Sequence, residues 1–285
     1  MFIIKTTISA KATAPFRLLH MTDNHITLAD SRDDAEKMKL AKRRALIFDG
    51  ENSGQSIAYF LELIAYAKEN RNPILYTGDL IDFVSKKNLE YVKESLQGID
   101  YLLIPGNHEF SQYVGEAYED EAYKMQSFDS VQAAFHVDLS CNSRIINGVN
   151  FVGLDNSYYQ FTSNHLAFFK AEVKKEYPII LFLHNPLFTE ALYDEMIFTR
   201  NNPCAYLVGC PEEKMKLYSK DRYQQQMATP DTHAFLDYFY RQTTVIAVIA
   251  GHLHFPYEGE LSNGIMQYVT GAGYQGMARE ITFLT

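Results

Sequence analysis

In the stretch Ile74-Leu75-Tyr76-Thr77-Gly78-Asp79-Leu80-Ile81-Asp82, a short run of strand-forming residues ends abruptly at a glycine and two carboxylates. Asn72-Pro73 closes the preceding helical pattern, so residues 74–77 are predicted as a buried strand that delivers Asp79 and Asp82 at its carboxyl end. The same construction recurs along the chain. Apolar runs at 16–21, 101–104, 179–183 and 244–250 end at Asp23-Asn24-His25, Gly106-Asn107-His108-Glu109, His184 and Gly251-His252-Leu253-His254. Amphipathic helices are predicted at 33–47, 55–69, 88–96, 164–175 and 231–241, the second burying Ile57, Phe60, Leu61, Ile64 and Ala65. Asn147-Gly148 marks a hairpin between 144–146 and 149–154, and a further strand is expected at 265–269. Strands alternating with helices, with a hairpin inserted, predict an α/β architecture with mixed sheets.

Loops at the carboxyl ends of strands of one sheet converge on one crevice, so five loops rich in Asp, Asn and His are expected to meet. Asp23 with His25, and His252 with His254, stand two residues apart, which in extended backbone turns both side chains to one face. The glycines before Asp79, Asn107 and His252 allow close approach of backbone. Carboxylate oxygen combined with imidazole nitrogen suits zinc, manganese or iron. Each block alone is a weak signal; their strength lies in the order of all five, each just after a predicted strand.

That ordered set, from Asp23 to His254, resembles the calcineurin-like metallophosphoesterase superfamily, in its bacterial-type phosphodiesterase branch. The resemblance implies a four-layer α/β/β/α sandwich of two mixed sheets and a dinuclear metal centre. It implies Asp23, His25, Asp79 and His254 as ligands of one ion, Asp79, Asn107, His184 and His252 as ligands of the other, and Asp79 as the bridge. His108 takes the place of the catalytic histidine and Asp82 that of the carboxylate orienting it; Asn107 and His108 would also touch substrate. The implied chemistry is hydrolysis by a hydroxide formed from a water bridging the two ions, with His108 protonating the leaving oxygen. One departure bears on substrate: Ser/Thr phosphatases of this superfamily carry Arg just after the second Asp of Gly-Asp-x-x-Asp, whereas this chain has Phe83. A protein phosphatase is therefore disfavoured, and a phosphodiesterase on a small organic phosphate or nucleotide is expected. A phosphomonoesterase is the alternative, and a non-catalytic protein-binding scaffold of the same fold is less favoured.

Composition adds boundaries. The 285 residues carry a net charge of −9, which argues against a duplex-binding protein, and the one conspicuously basic stretch, 37–44, reads as a solvated helix face. Twenty Tyr and nineteen Phe predict a well-filled core. Three cysteines give no disulfide framework and no Cys-x-x-Cys pair, which fits a reducing compartment. The first residues hold too short an apolar run for a signal peptide, and the run at 245–250 is too short to span a bilayer. A single cytoplasmic domain over residues 1–285 is expected, with no membrane partner.

His20, His136, His165 and His233 lie outside the motifs and are assigned to structure or surface. Asp155, Asn156, Tyr274 and Gln275 are placed to line the crevice. Periodicity fades between 189 and 229; a long irregular segment just after His184 is expected to cover the site and shape substrate choice.

Overall fold

A computed structural model describes residues 1–115 and 119–285. Among the described residues eleven strands follow in order: β1 (Phe2–Ser9), β2 (Phe16–Met21), β3 (Ile74–Thr77), β4 (Tyr101–Ile104), β5 (Cys141–Ile146), β6 (Val149–Leu154), β7 (Ile179–Phe182), β8 (Val245–Ala250), β9 (Tyr257–Glu260), β10 (Met266–Val269) and β11 (Met277–Leu284). They form two mixed sheets, ordered β1-β11-β2-β3-β4 and β5-β6-β7-β8-β10-β9. Leu18, Leu75, Leu102 and Ile104 of the first sheet meet Phe151, Ile180, Phe182 and Ile249 of the second in a shared apolar layer. Helices cover the outer faces: Gln55–Asn70 and Lys86–Ser95 pack on the first sheet, and Ser163–Val173 and Pro230–Phe239 on the second. This is the expected α/β/β/α sandwich. Strands β3, β4, β6 and β7 are buried at every position, which explains why they read as continuous apolar runs rather than alternating ones.

Local signals account for the element ends. The hairpin joining β5 to β6 turns on Asn147 and Gly148 with φ of 45° and 80°, the left-handed pair a two-residue turn requires. Thr162 caps Ser163–Val173 in a capping box with His165. Helix Gln55–Asn70 buries Phe60, Leu63, Ile64 and Ala67, so the apolar stripe is rotated from the expected one and Leu61 is exposed. Among the described residues, no helix is long and apolar enough to cross a membrane.

The convergence of loops takes a different route from the expected one. β2, β3 and β4 are parallel neighbours with Met21 opposite Tyr76 and Thr77 opposite Ile104, so their loops leave at one level. β7 and β8 are parallel in the other sheet, with Phe182 opposite Ile249. Five loops meet, but from two sheets, because stacking sets the carboxyl ends of both strand groups at a common edge.

Candidate metal centre

The residues at this edge are almost fully buried: Asp23, His25, Asp79 and His184 are at most 1% exposed. Backbone geometry, rather than extended alternation, aims them. Asp23, His25, Asp79, His252 and His254 all have left-handed backbone, with φ between 47° and 70°. For residues other than glycine each such conformation costs on the order of 1–3 kcal/mol and clusters at functional sites. The loops are braced against that strain. Asp23 N–H donates to Gly78 O at 3.0 Å, His25 N–H to Asp79 O at 2.9 Å, and His252 N–H to Asp23 Oδ2 at 2.9 Å. A Cβ on Gly106 would overlap Asp79 Oδ1 and the His184 ring, and one on Gly251 would overlap Thr22 Oγ1. Glycine is needed at both for proximity.

Asp23 and Asp79 each have one oxygen fixed by the protein and one aimed into the crevice. Asp23 Oδ2 accepts from Thr22 Oγ1 at 2.7 Å and from the His252 amide, leaving Oδ1 facing His254 Nε2 at 3.4 Å and His25 Nε2 at 3.9 Å. Asp79 Oδ1 accepts from His108 N–H at 2.9 Å, leaving Oδ2 at 3.3 Å from His184 Nε2 and 3.7 Å from His25 Nε2. Asp79 therefore stands between two clusters, Asp23/His25/His254 on one side and His184/His252 on the other.

The histidines are oriented by their second nitrogens. His25 Nδ1 lies 3.0 Å from Asp82 Oδ1, and His184 Nδ1 lies 2.6 Å from Thr77 O, so in both rings Nδ1–H donates outward and Nε2 faces the crevice. His252 is reversed: its Nε2 pairs with the Tyr159 hydroxyl at 2.9 Å and its Nδ1 faces His184 Nε2 at 3.0 Å. His25 Nε2 and His254 Nε2 likewise face each other at 3.0 Å. Asp23 Oδ1 and Asn107 Oδ1 are buried with no hydrogen-bond partner among the described residues. Buried polar atoms without partners are costly, and opposed ring nitrogens have a shared use if they hold one cation. The donor set fits a pair of metal ions.

Electrostatics agree with that fit. Burial would raise the Asp79 carboxyl, but the surrounding histidines, His184 first, hold it well below the usual carboxylate range. His108 lies beside the centre and lines the cleft. Its Nδ1 is 2.7 Å from Asp82 O and 3.2 Å from Asp82 Oδ1, so Asp82 orients it through backbone as well as side chain. Burial opposes the imidazolium, but the charges of Asp79 and Asp82 prevail and push it up to about 10. A third possible cation group, His25/Asp82/His108, is claimed by protein instead. Arg44 grips both oxygens of Asp82, Nε to Oδ2 at 2.6 Å and Nη2 to Oδ1 at 2.8 Å.

Arg44 corrects the reading of residues 37–44 as a solvated face: its helix, Ala35–Phe48, packs Leu40 and Ala41 on Phe83 and turns Arg44 inward. Glu109 was also unassigned from sequence. Its buried carboxylate accepts from the amides of Asp79, Leu80, Ile81 and Gly106, locking two of the loops together. The glutamate closing Gly-Asn-His-Glu was the available signal.

The secondary candidates separate. Asn156 is buried and its Oδ1 accepts from the His184 and Asn185 amides, so it supports His184 from behind. Tyr274 packs against His254 and Phe48, with ring centroids 5.4 and 4.9 Å away. Asp155 is not brought to the cleft; it pairs with Lys124 at 2.8 Å and accepts from Ser157 N–H. His20 is buried between Thr77 Oγ1 and Thr270 Oγ1.

The centre opens into a cleft of about 610 Å³. One wall is made of Asn107, His108, His252 and His254; Met196, Asn202, Tyr206, Arg222 and Gln225 supply another, all from the stretch 189–229. That stretch folds as short pieces, including Glu190–Asp194 and Lys220–Gln226, which explains why no period persists in its sequence. Tyr159 and Tyr206, both with left-handed backbone, set their rings 5.6 and 5.7 Å from His252. Arg222 is the one Arg or Lys lining the cleft among the described residues; it lies over the Tyr206 ring and donates to Gln225 Oε1 at 2.6 Å.

The sequence model of the family described as calcineurin-like phosphoesterase matches residues 16–256. Among solved structures, a dimetal phosphatase from Danio rerio is 13% identical, covers 91% of this chain and 88% of its own, and superposes with a TM-score of 0.50. Phosphopantetheinyl hydrolase from Mycobacterium tuberculosis is 10% identical over 96% of this chain and 92% of its own, with a TM-score of 0.42. A 5′-nucleotidase from Candida albicans is 16% identical, covering 96% of this chain but 47% of its own, with a TM-score of 0.43. At these identities the likeness is one of fold. No curated protein matches the sequence significantly.

Proposed function

Because the chain belongs to the calcineurin-like phosphoesterase family, whose members use dinuclear metal centres, we propose that it is a phosphodiesterase acting on a small organic phosphate or nucleotide. The observation that carries this reading is Asp79 Oδ2, buried and aimed between two histidine clusters. On this reading Asp23, His25, Asp79 and His254 hold one ion, and Asp79, Asn107, His184 and His252 hold the other. Manganese, iron and zinc all suit that set. Held by these residues, the ions would supply the Lewis acidity that activates water as a nucleophile and offsets phosphoryl charge.

The chain's own residues do the rest. His108 keeps its Nδ1 on Asp82 and presents Nε2 to the leaving oxygen, to which it gives a proton. Asn107 adds a neutral oxygen that places no further negative charge opposite the substrate. Arg222 grips a non-bridging or neighbouring anionic oxygen, while the half-buried Tyr206 offers a ring on which a planar leaving group can lie. A diester carries one negative charge on its phosphoryl oxygens and a monoester nearly two, so a cleft whose side-chain cations among the described residues are Arg222 and the His108 imidazolium, with Glu119 and Asp221 beside them, suits the diester better. Segment 189–229 acts as the substrate-shaping wall of a single domain. The three free thiols suit a cytoplasmic setting. The test is turnover of bis(p-nitrophenyl) phosphate against p-nitrophenyl phosphate with manganese: faster diester cleavage supports the assignment, and exclusive monoester cleavage replaces it with a phosphomonoesterase.

A further inference from the structure

Helix Ala35–Phe48 lies outside every motif, yet it places two side chains against the centre. Arg44, 17% exposed, forks onto both oxygens of the fully buried Asp82. Asp82 Oδ1 in turn meets His25 Nδ1 at 3.0 Å and His108 Nδ1 at 3.2 Å. Phe48 stacks flat on the His25 ring, centroids 4.3 Å apart and planes at 4°, and the Arg44 guanidinium covers the other partner of that stack at 4.9 Å from the Phe48 ring.

We infer that Arg44 is a positioning residue of the centre, holding Asp82 so that His25 presents Nε2 to the first ion. The inference rests on the metal assignment proposed above and adds to it. The geometry is one-sided. Asp82 touches His25, whereas His184 and His252 are oriented by Thr77 O and the Tyr159 hydroxyl, which Arg44 does not contact. A bidentate guanidinium fixes both the position and the plane of a carboxylate, which a lysine ammonium cannot reproduce. Partners that orient a ligating histidine typically contribute roughly 10–100-fold to metal affinity. That weight should therefore fall on one of the two sites.

The experiment is a calorimetric titration of manganese into metal-free protein, comparing the unmutated chain with Arg44→Ala and Arg44→Lys. The unmutated chain is expected to bind two ions. Arg44→Ala should bind one of them about 10–100-fold more weakly, leave the other within about threefold, and recover when guanidinium ion is added. Arg44→Lys should fall between, and it carries the comparison alone if the alanine variant does not fold. Unchanged affinities in the variants, or equal loss at both sites without recovery by guanidinium, would overturn the role. If the unmutated chain binds no manganese, the metal assignment itself fails, a result visible before any variant is made.

Discussion

The two walls of the cleft are built by opposite means. The wall carrying the candidate ligands consists of short loops at the ends of buried strands, with left-handed backbone and with spare carboxylate oxygens and ring nitrogens tied to backbone or hydroxyl groups. The facing wall, from 189–229, is an assembly of short helices whose apolar residues Leu192, Met196, Leu207 and Tyr218 share a cluster with Ala250, Leu253, Phe255 and Val269, and it sends single side chains into the cleft. On the proposed function, the difference separates chemistry from selection. Strain and mutual bracing fix atoms to the tolerance that metal coordination demands, while a wall of independent side chains can change without disturbing them.

The sharpest way to break that contrast is Asp79→Asn. If Asp79 serves both ions, the variant should retain neither after gel filtration and should lose on the order of 10⁴-fold or more in turnover. Metal analysis alongside the assay decides it, and retention of both ions would dismantle the division. His108→Asn should keep both metals yet slow turnover by roughly 10²–10⁴-fold. Normal turnover in that variant would remove His108 from the reaction.

Arg222→Gln samples the other wall. Loss of one charged contact should raise KM about tenfold for an anionic substrate and leave kcat within about twofold. A fall in kcat with unchanged KM would place Arg222 in the chemistry. The smallest effect on turnover is expected from His20, which stands behind the wall of candidate ligands, between Thr77 and Thr270. Burial, then the nearby Arg279 charge, lowers its pKa to about 3, so the folded protein holds it neutral. An unfolded chain takes up that proton below about pH 6.5, so stability should fall as pH drops from 6.5 toward 3, by up to about 5 kcal/mol from this group. Denaturant unfolding across that range should show a shallower pH slope for His20→Gln, and an identical slope would dismiss His20 as the source.

The loops that carry the candidate ligands are legible in the sequence because they sit at strand ends, where an apolar run stopping at Gly-Asp or Gly-Asn-His is visible without knowing the fold. The sequence did not disclose how the loops are aimed: residues two apart suggested extended backbone, but φ near 50–70° at Asp23, His25, His252 and His254 does that work. Arg44 was hidden because one inward residue on a basic helix looks like its solvated neighbours. Strand β11 was missed for a related reason: Arg279 and Glu280 are buried within it, Arg279 bonding Thr270 Oγ1 and Val269 O, so its pattern is not apolar. Strand β1 is an edge with alternating exposure and carries too few buried residues to stand out. The wall at 189–229 lacked a period because its helices are one or two turns long.

Whether the Asp79 carboxylate serves two ions is read from anomalous diffraction of manganese-loaded crystals. Two peaks are predicted, roughly 3.5–4 Å apart, flanking Asp79 with Asp23, His25 and His254 around one and Asn107, His184 and His252 around the other. A single peak, or two peaks with Asp79 bound to neither, would contradict it.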